Sequence, residues 1–438
     1  MFVFTRCEKS GIIKFKRIGG EEMEKFWADI AIIGGGASGL AAAVSAAMTN
    51  SSLKIVIIER LDRVGKKILA TGNGRCNLSN KNLGEEHYHG TIDAMKIIRK
   101  TSSAEDFFKM LGVICMTDDQ GRMYPRSNSA ATVLGAIRLK ARELGITELC
   151  GMNVVSIKKS VKGYILATDT TEILSKRVII AAGGYAAPSS GTDGSMMRIL
   201  KEMGYQVSKI CPAVAPLRVK PELLKGMKGV RAKGKIQAVS VGKILHEEFG
   251  EIQFTENSLS GICVFNFACL MSHYEGKLIL RIDLLPEMSE NELADYLFMV
   301  KEQRSNFEIS ELLTGIFAKN PAHYLIKRIL NRPQTDIIST LKNGELRKLA
   351  KEIKSLEFEI SGTSSWQNAQ ATSGGIHVSC VNENLESKLH KGIYFAGEIL
   401  DVDGECGGYN LQWAWSSGIW SGKNCAESLK AGRNNGKN

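Results

Sequence analysis

At 438 residues, with 44% hydrophobic and 24% charged residues, the chain has the composition of an ordinary globular protein and is too long for one core. Domains usually hold roughly 100–200 residues, so two or three units are expected. No apolar run reaches the ~18 residues of a membrane span. The N-terminus MFVFTRCEKSGIIKFKRIGG lacks a continuous apolar stretch and a small-residue cleavage site, so secretion is not expected and the cytoplasm is. Ten cysteines without a CxxC pair or repeated spacing read as reduced thiols, and neither a disulfide framework nor a metal site is expected.

The net charge of +11 is concentrated. Between Tyr205 and Ile244 stand nine cations (Lys209, Arg218, Lys220, Lys225, Lys228, Arg231, Lys233, Lys235 and Lys243) against Glu222 alone, a net +8. A solvated face on β-strands is the favoured reading. The alternative is attraction of an anionic ligand: a carboxylate, the phosphates of a nicotinamide cofactor, or RNA. Aromatic residues do not interleave the run, which argues against RNA.

In chain order, residues 1–22 read as an appendage. From Ala28 a strand (ADIAIIG), a Gly-rich turn, an alanine-rich helix (ASGLAAAVSAAMT) and a second strand (KIVIIER) follow one another. Continuous apolar strands joined by a helix predict a parallel sheet covered on both faces. A second α/β stretch runs from about 104 to 187, with a helix near Asn128–Leu144, two alternating strands (NVVSIKKS, YILATDT) and the buried strand RVIIAAGG. Short strands with Gly turns occupy 206–283. Helical periodicity with balanced charge (ENELADYLFMVKEQ, GELRKLAKEIKSL) covers 288–355, punctuated by Pro286, Pro321 and Pro333. After Phe358 a strand (IYFAGEIL), a Gly-rich turn and a last helix close the chain, and internal repeats are not found. The expected division is 1–22 extension, 23–204 first part of a nucleotide-binding domain, 205–285 β-rich insertion, 286–356 helical subdomain and 357–430 second part.

IAIIGGGASGLAAA carries GxGxxG at Gly34, Gly36 and Gly39, with a strand entering and a helix leaving. Gly34 permits the tight turn, Gly36 lets backbone approach a pyrophosphate, and Gly39 lets helix and strand pack closely; the helix N-terminus offers free N–H groups to phosphates. Glu59, 20 residues after Gly39, ends the next strand, where it can accept from ribose hydroxyls and would repel a 2′-phosphate. FAD is favoured over NAD because the chain returns with YFAGEILDVDGECGGYNLQWAWSSG, a second ligand-facing edge that a long dinucleotide needs. Backbone N–H groups around Gly408 to Leu411 would stabilise charge at the flavin N1–C2=O edge. MEKFWADIAIIGGG, opened by Met23, has the layout of a flavoprotein start, so Met1 reads as a misassigned start and a chain from Met23 is expected to fold.

The combination GGGASG…GKKILATGNGRCN…IIAAGG…SGG…YFAGEILDVDGECGGYNLQWAWSSG resembles the HI0933-like (BaiN-type) family of NAD(P)/FAD-dependent oxidoreductases, from about Asp29 to Gly422. The resemblance implies a Rossmann-type α/β FAD domain from both chain ends, with an inserted β-barrel-like domain and a helical one. It places the phosphate loop on Gly34, Gly36, Ala37, Ser38 and Gly39, and the ribose acid on Glu59 beside Arg60. The basic loop falls on Lys66 and Lys67, and TGNGRCN, with Asn73 and Arg75, passes near the flavin. Val154 marks the adenine strand, Gly183 the second FAD strand, and Gly397, Glu398, Asp403, Asn410 and Leu411 the ribityl–isoalloxazine segment. Where many members read FTxxGxSGP, this chain reads FTENSLSGIC (Phe254 to Cys263).

Cys76 reads as a small buried residue more than as a redox thiol, and His377 as structural more than as a proton donor. Tyr409 is evenly balanced between donating to a substrate carbonyl and packing. Trp413, Trp415 and Trp420 read as core, and Arg126 as a carboxylate clamp or a loop cap. No catalytic residue is assigned, since the flavin carries hydride transfer. The resemblance implies an NAD(P)H-dependent reductase of a conjugated C=C bond in a hydrophobic, anionic oxo-acid such as a 3-oxo bile acid. Amine oxidation, RNA interaction and redox sensing are the rivals; a small-molecule partner is expected, and a membrane or nucleic acid is not.

Overall fold

A computed structural model of the chain describes residues 3–6, 12–16, 22–274 and 276–434. They form two compact units, one from the residues up to Cys211 with those from Gln370 onward, the other Pro212–Ala369.

The first unit is built on strands β1 (Val3–Arg6), β2 (Ile12–Lys16), β3 (Glu22–Ile33), β4 (Ile55–Glu59), β5 (Thr147–Cys150), β6 (Val154–Ser160), β7 (Gly163–Thr168), β8 (Glu172–Ile180) and β9 (Ile393–Phe395). Its helices include α1 (Ala37–Thr49), α2 (Lys66–Ala70), α3 (Ala130–Glu143), α4 (Ser195–Glu202) and α5 (Tyr409–Asn434). Five strands are parallel neighbours in the order β5-β4-β3-β8-β9. Their apolar runs are buried on both faces because helices cover both, as the continuous hydrophobic pattern predicts. The β6–β7 hairpin pairs antiparallel to the first half of β8, leaving the second half for β9.

Alanine in α1 has a packing reason. A Cβ on Gly422 of α5 would lie 2.2 Å from the carbonyl oxygen of Ala42, and one on Gly418 2.4 Å from that of Ser38, so the two helices meet backbone to backbone. Small residues on both sides are the condition for that approach.

Residues 1–22, expected as an appendage, contribute two strands among those described. β2 pairs antiparallel with β3 from Ile12↔Phe26 to Lys16↔Glu22, so Met23 lies inside a paired strand. The alternation in IIKFK is the local signal of that strand.

In the second unit, Leu356–Glu359, Ile279–Asp283, Arg231–Ser240, Lys243–Phe254, Ser258–Ser260, Leu217–Arg218 and Gly362–Thr363 form one sheet in that order. Each neighbour is antiparallel. The expected barrel is corrected to an open sheet: among the described residues the end strands do not pair, and closure requires an unbroken ladder. The helices Glu290–Gln303, Lys319–Leu330 and Asn343–Lys354 lie in the chain between two adjacent strands of this sheet. The segments 205–285 and 286–356, expected separately, therefore share a unit from 212 onward. Ser289 and Glu292 form a capping box that starts the first of these helices.

Three of the nine cations of the basic run are paired within this unit. Lys235 pairs with Glu247 at 2.8 Å, Arg231 with Glu251 at 3.3 Å and Lys228 with Glu256 at 2.9 Å, acids that lie just beyond the +8 window. Such exposed pairs add little stability, but they reduce the field an anion would feel.

Candidate functional site

The first unit holds a cleft enclosing about 1330 Å³ of space, the solvent at its mouth included. Its floor is the turn between β3 and α1. Gly34 adopts φ +103°, and a Cβ there would lie 2.4 Å from the carbonyl oxygen of Ala181. A Cβ on Gly39 would lie 1.9 Å from the carbonyl oxygen of Gly34, which is the close helix–strand packing expected of it. Gly36 differs: apart from its own chain neighbours, no heavy atom lies within 4 Å of a Cβ placed there. It is the N-cap of α1 and supplies no side-chain cap, so the first-turn N–H groups are left for something else to satisfy.

Glu59, at the end of β4, takes the Gly35 N–H on Oε2 at 2.8 Å and the Leu61 N–H on Oε1 at 2.9 Å. These bonds fix the carboxylate on the cleft wall, and each oxygen keeps a further lone pair. The two chain ends meet where Lys67 Nζ donates to Glu398 Oε2 at 2.7 Å. Glu398 Oε1 is buried and has no hydrogen-bond partner. A buried acceptor left unmade is costly and is rare in a folded protein.

At the start of α5, Asn410 bonds reciprocally to Gly404, accepting its N–H at 2.9 Å and donating to its carbonyl at 2.6 Å. The lock aims the first turn, where Asn410 and Leu411 line the cleft. The third wall is a strap, Ser190–Met196, clasped across the β4 end by Arg60 and Asp193 at 2.6 Å. Burial alone would raise the Asp193 carboxyl, but hydrogen bonds from Arg60 and Ser195 hold it well below the ordinary carboxylate range.

That direction fixes a pH window. A depressed carboxyl contributes its stability above the unfolded value of about 3.9 and loses it as pH falls through the folded one. The Asp193→Asn protein is therefore expected to trail the parent by a constant margin, under about 1 kcal/mol for so exposed a pair, from pH 8 to pH 5. The margin should shrink below about pH 4, read by urea unfolding.

Gly34, Gly36, Ala37, Ser38, Glu59 and Arg60 line this cleft, as do Lys67, Val154, Gly183, Glu398, Asn410 and Leu411. Five expected residues do not. Gly39 serves the helix packing. Gly397 has φ +78° and bonds to Ser417 Oγ through its N–H at 2.8 Å, setting the turn that carries Glu398. Asp403 is fully buried in a short strand opposite His89. Asn73 and Arg75 are exposed because the turn Gly72–Gly74 runs through left-handed backbone, and Arg75 lies over the Tyr124 ring at 4.6 Å. Sequence reasoning missed the strap, whose signal was the Gly-rich run GGYAAPSSGTDGS directly after β8.

The proton-donor and thiol candidates have other occupations. His377 Nδ1 accepts the Ser379 N–H at 3.1 Å and caps its own turn. The Tyr409 hydroxyl donates to the Asn82 carbonyl at 3.2 Å. Trp413 and Trp415 are buried and donate to Gly397 O and Leu78 O at 3.2 Å and 3.1 Å, while Trp420 donates to Glu383 O at 2.8 Å. Arg126 is exposed.

Cys76 is buried, and burial pushes its thiol up to about 12. A thiol held that high is almost wholly protonated at pH 8. Native protein treated with iodoacetamide at that pH should show Cys76 unmodified by mass spectrometry, and labelled once urea is added.

A parallel sheet bearing a GxGxxG turn, a strand-end acid and an uncapped helix start defines an α/β protein of the Rossmann type. Residues 28–424 match the HI0933-like protein Rossmann domain, and the chain belongs to that family. It is 37% identical over 409 residues to the 3-dehydro-bile acid delta(4,6)-reductase of Clostridium scindens, covering 91% of this chain and 99% of that one. It is also 27% identical over 425 residues to the ribosomal RNA dihydrouridine synthase of Escherichia coli, covering 94% of this chain and 100% of that one. Among solved structures, a quinol-fumarate reductase with menaquinol aligns over 94% of this chain and 72% of its own at a TM-score of 0.51 and 14% identity, a likeness of fold. Among the described residues no helix is long and apolar enough to cross a membrane.

Proposed function

We propose that the chain is an FAD-dependent oxidoreductase that uses NAD(P)H to reduce a conjugated C=C bond in a hydrophobic oxo-acid such as a 3-oxo bile acid. The cleft fits a dinucleotide on three observations: the open space at Gly36, the uncapped start of α1, and the orphaned Glu398 Oε1. FAD, when bound, supplies the hydride-transfer chemistry. The chain's part is to bind and orient. The first turn of α1 takes the pyrophosphate, Glu59 a ribose diol, and Glu398 a hydroxyl of the chain between pyrophosphate and ring. The first turn of α5 receives the electron-rich edge. Glu59 disfavours a 2′-phosphate in this cleft, consistent with FAD as its occupant.

The observation that carries the choice of substrate is the near full-length 37% identity to the bile acid reductase. A second reading, reduction of a uridine ring in ribosomal RNA, is supported by the relatives at 27% and 25% identity. Both acceptors hold a C=C bond conjugated to a carbonyl. Pairing of Lys235, Arg231 and Lys228 with Glu247, Glu251 and Glu256 weakens the polyanion attraction that RNA binding needs, while a single carboxylate depends on it far less.

Anaerobic rapid mixing separates the readings. Enzyme reduced with NADH or NADPH is mixed with a 3-oxo-4-ene bile acid, with unmodified ribosomal RNA, or with buffer; oxidised enzyme is mixed with primary amines. Fast reoxidation by the enone acid alone is expected. Reoxidation by RNA alone would transfer the assignment to uridine, and bleaching by amines without response to either acceptor would make the protein an amine oxidase.

A further inference from the structure

The first turn of α5 is gripped by one stretch of chain, residues 79–90. Asn80 Nδ2 donates to Gly407 O at 3.0 Å, and the Tyr88 hydroxyl donates to Tyr409 O at 3.3 Å. One link in this grip is ionisable. His87 Nδ1 lies 2.7 Å from Glu405 Oε2, while the Glu405 N–H donates to His87 O at 3.0 Å. A carboxylate carries no hydrogen, so Nδ1 bears the proton and donates it. The imidazole also stacks on the Tyr409 ring, centroids 4.4 Å apart and planes at 22°. Glu405 has a side chain only 15% exposed, and among the described residues His87 is the basic group paired with it. Glu86 lies 3.7 Å from the other ring nitrogen but is 74% exposed and screened by water.

Glu405 stands four residues before the start of α5, and its charge is felt there. The Tyr409 phenol is pushed up to about 12, by burial first and then by Glu405 and Glu86. A carboxylate near a helix N-terminus uses the positive end of the dipole for itself. Whatever else that end is to stabilise must then compete with it.

We propose that His87 is a positioning residue: its Nδ1–H holds the Glu405 carboxylate in place and offsets its charge, keeping the N-terminal end of α5 available to the electron-rich edge of the cofactor. The inference rests on the FAD reading above and goes beyond it by naming a residue outside the cleft that sets the reduction potential.

The test is an anaerobic potential titration of FAD-loaded protein with a reference dye, with flavin content measured separately. His87→Phe keeps a ring on Tyr409 and removes the N–H donor. Its potential should shift to more negative values, the reduced-to-oxidised ratio at fixed potential falling by roughly three- to tenfold. His87→Gln retains a donor and should stay near the parent. Glu405→Gln should shift the potential the other way, and in that background His87→Phe should have no further effect. An unchanged potential in both His87→Phe and Glu405→Gln, at full flavin content, overturns the proposal. So does equal loss of flavin in His87→Phe and His87→Gln with no shift in potential, which a purely structural ring would produce. Parent protein that takes up no FAD defeats the cofactor reading itself, a result distinct from either.

Discussion

A Gly36→Leu protein is expected to fold and to purify colourless. Gly36 has φ −80°, open to any residue, and the space around its missing Cβ is empty of protein. The substitution should cost folding only the difference between glycine and leucine at an N-cap, about 0.5–1 kcal/mol. On the FAD reading, a pyrophosphate reaching the first-turn N–H groups of α1 would occupy that space, so an isobutyl group there should remove nearly all bound FAD. Visible absorbance per protein and the FAD dissociation constant measure it, with a weakening of at least about 100-fold expected. Stabilities should be compared as apoproteins, because bound ligand stabilises by mass action alone. Gly39→Val is the contrast. Its Cβ would sit 1.9 Å from a backbone oxygen, and insoluble protein is the expected result. A yellow Gly36→Leu protein with parental FAD content would end the assignment of this cleft.

The two glycines show what was legible in the sequence and what was not. Strand, turn, helix and strand from Ala28 to Glu59 declare themselves because every restraint is local: two-faced apolar strands, glycines at fixed offsets, and an acid at the strand end. The return of the chain at Phe395–Leu411 is legible for the same reason. The strap is not, because its clasp joins Arg60 to Asp193 and no pattern in either segment names the other. Asn73 and Arg75 stand inside a recognisable motif, yet spacing is silent about which way a left-handed turn aims its side chains. The size of the charge excess in the basic run is overstated by its sequence for a related reason. Its counter-charges stand on the facing strand, outside the window in which the excess was counted. The open sheet of the second unit depends on Leu356–Glu359 pairing with Ile279–Asp283 across an intervening helical segment, a contact of long sequence separation.

Lys67→Met should harm the protein more than changing both members of its ion pair. Lys67 and Glu398 come from opposite ends of the sequence, and their side chains are 24% and 21% exposed. Glu398 already has one oxygen without a partner, so loss of Lys67 leaves a half-buried carboxylate with no compensating donor. Breaking a fully buried pair from one side costs about 3–5 kcal/mol; residual exposure lowers the expectation here to about 1–3 kcal/mol. At about 2–4 °C per kcal/mol for a unit of this size, the apoprotein midpoint should fall measurably in a thermal scan. The Lys67→Met/Glu398→Gln double variant removes the charge as well as its partner and should recover most of that loss. FAD affinity should not recover in parallel. A carboxylate accepts a ligand hydroxyl more strongly than an amide does, so the double variant should bind roughly tenfold more weakly than the parent while melting close to it. If the single and double variants melt together, the pair is an exposed contact with no bearing on the carboxylate. If both bind FAD as the parent does, Glu398 Oε1 is satisfied by something other than the cofactor.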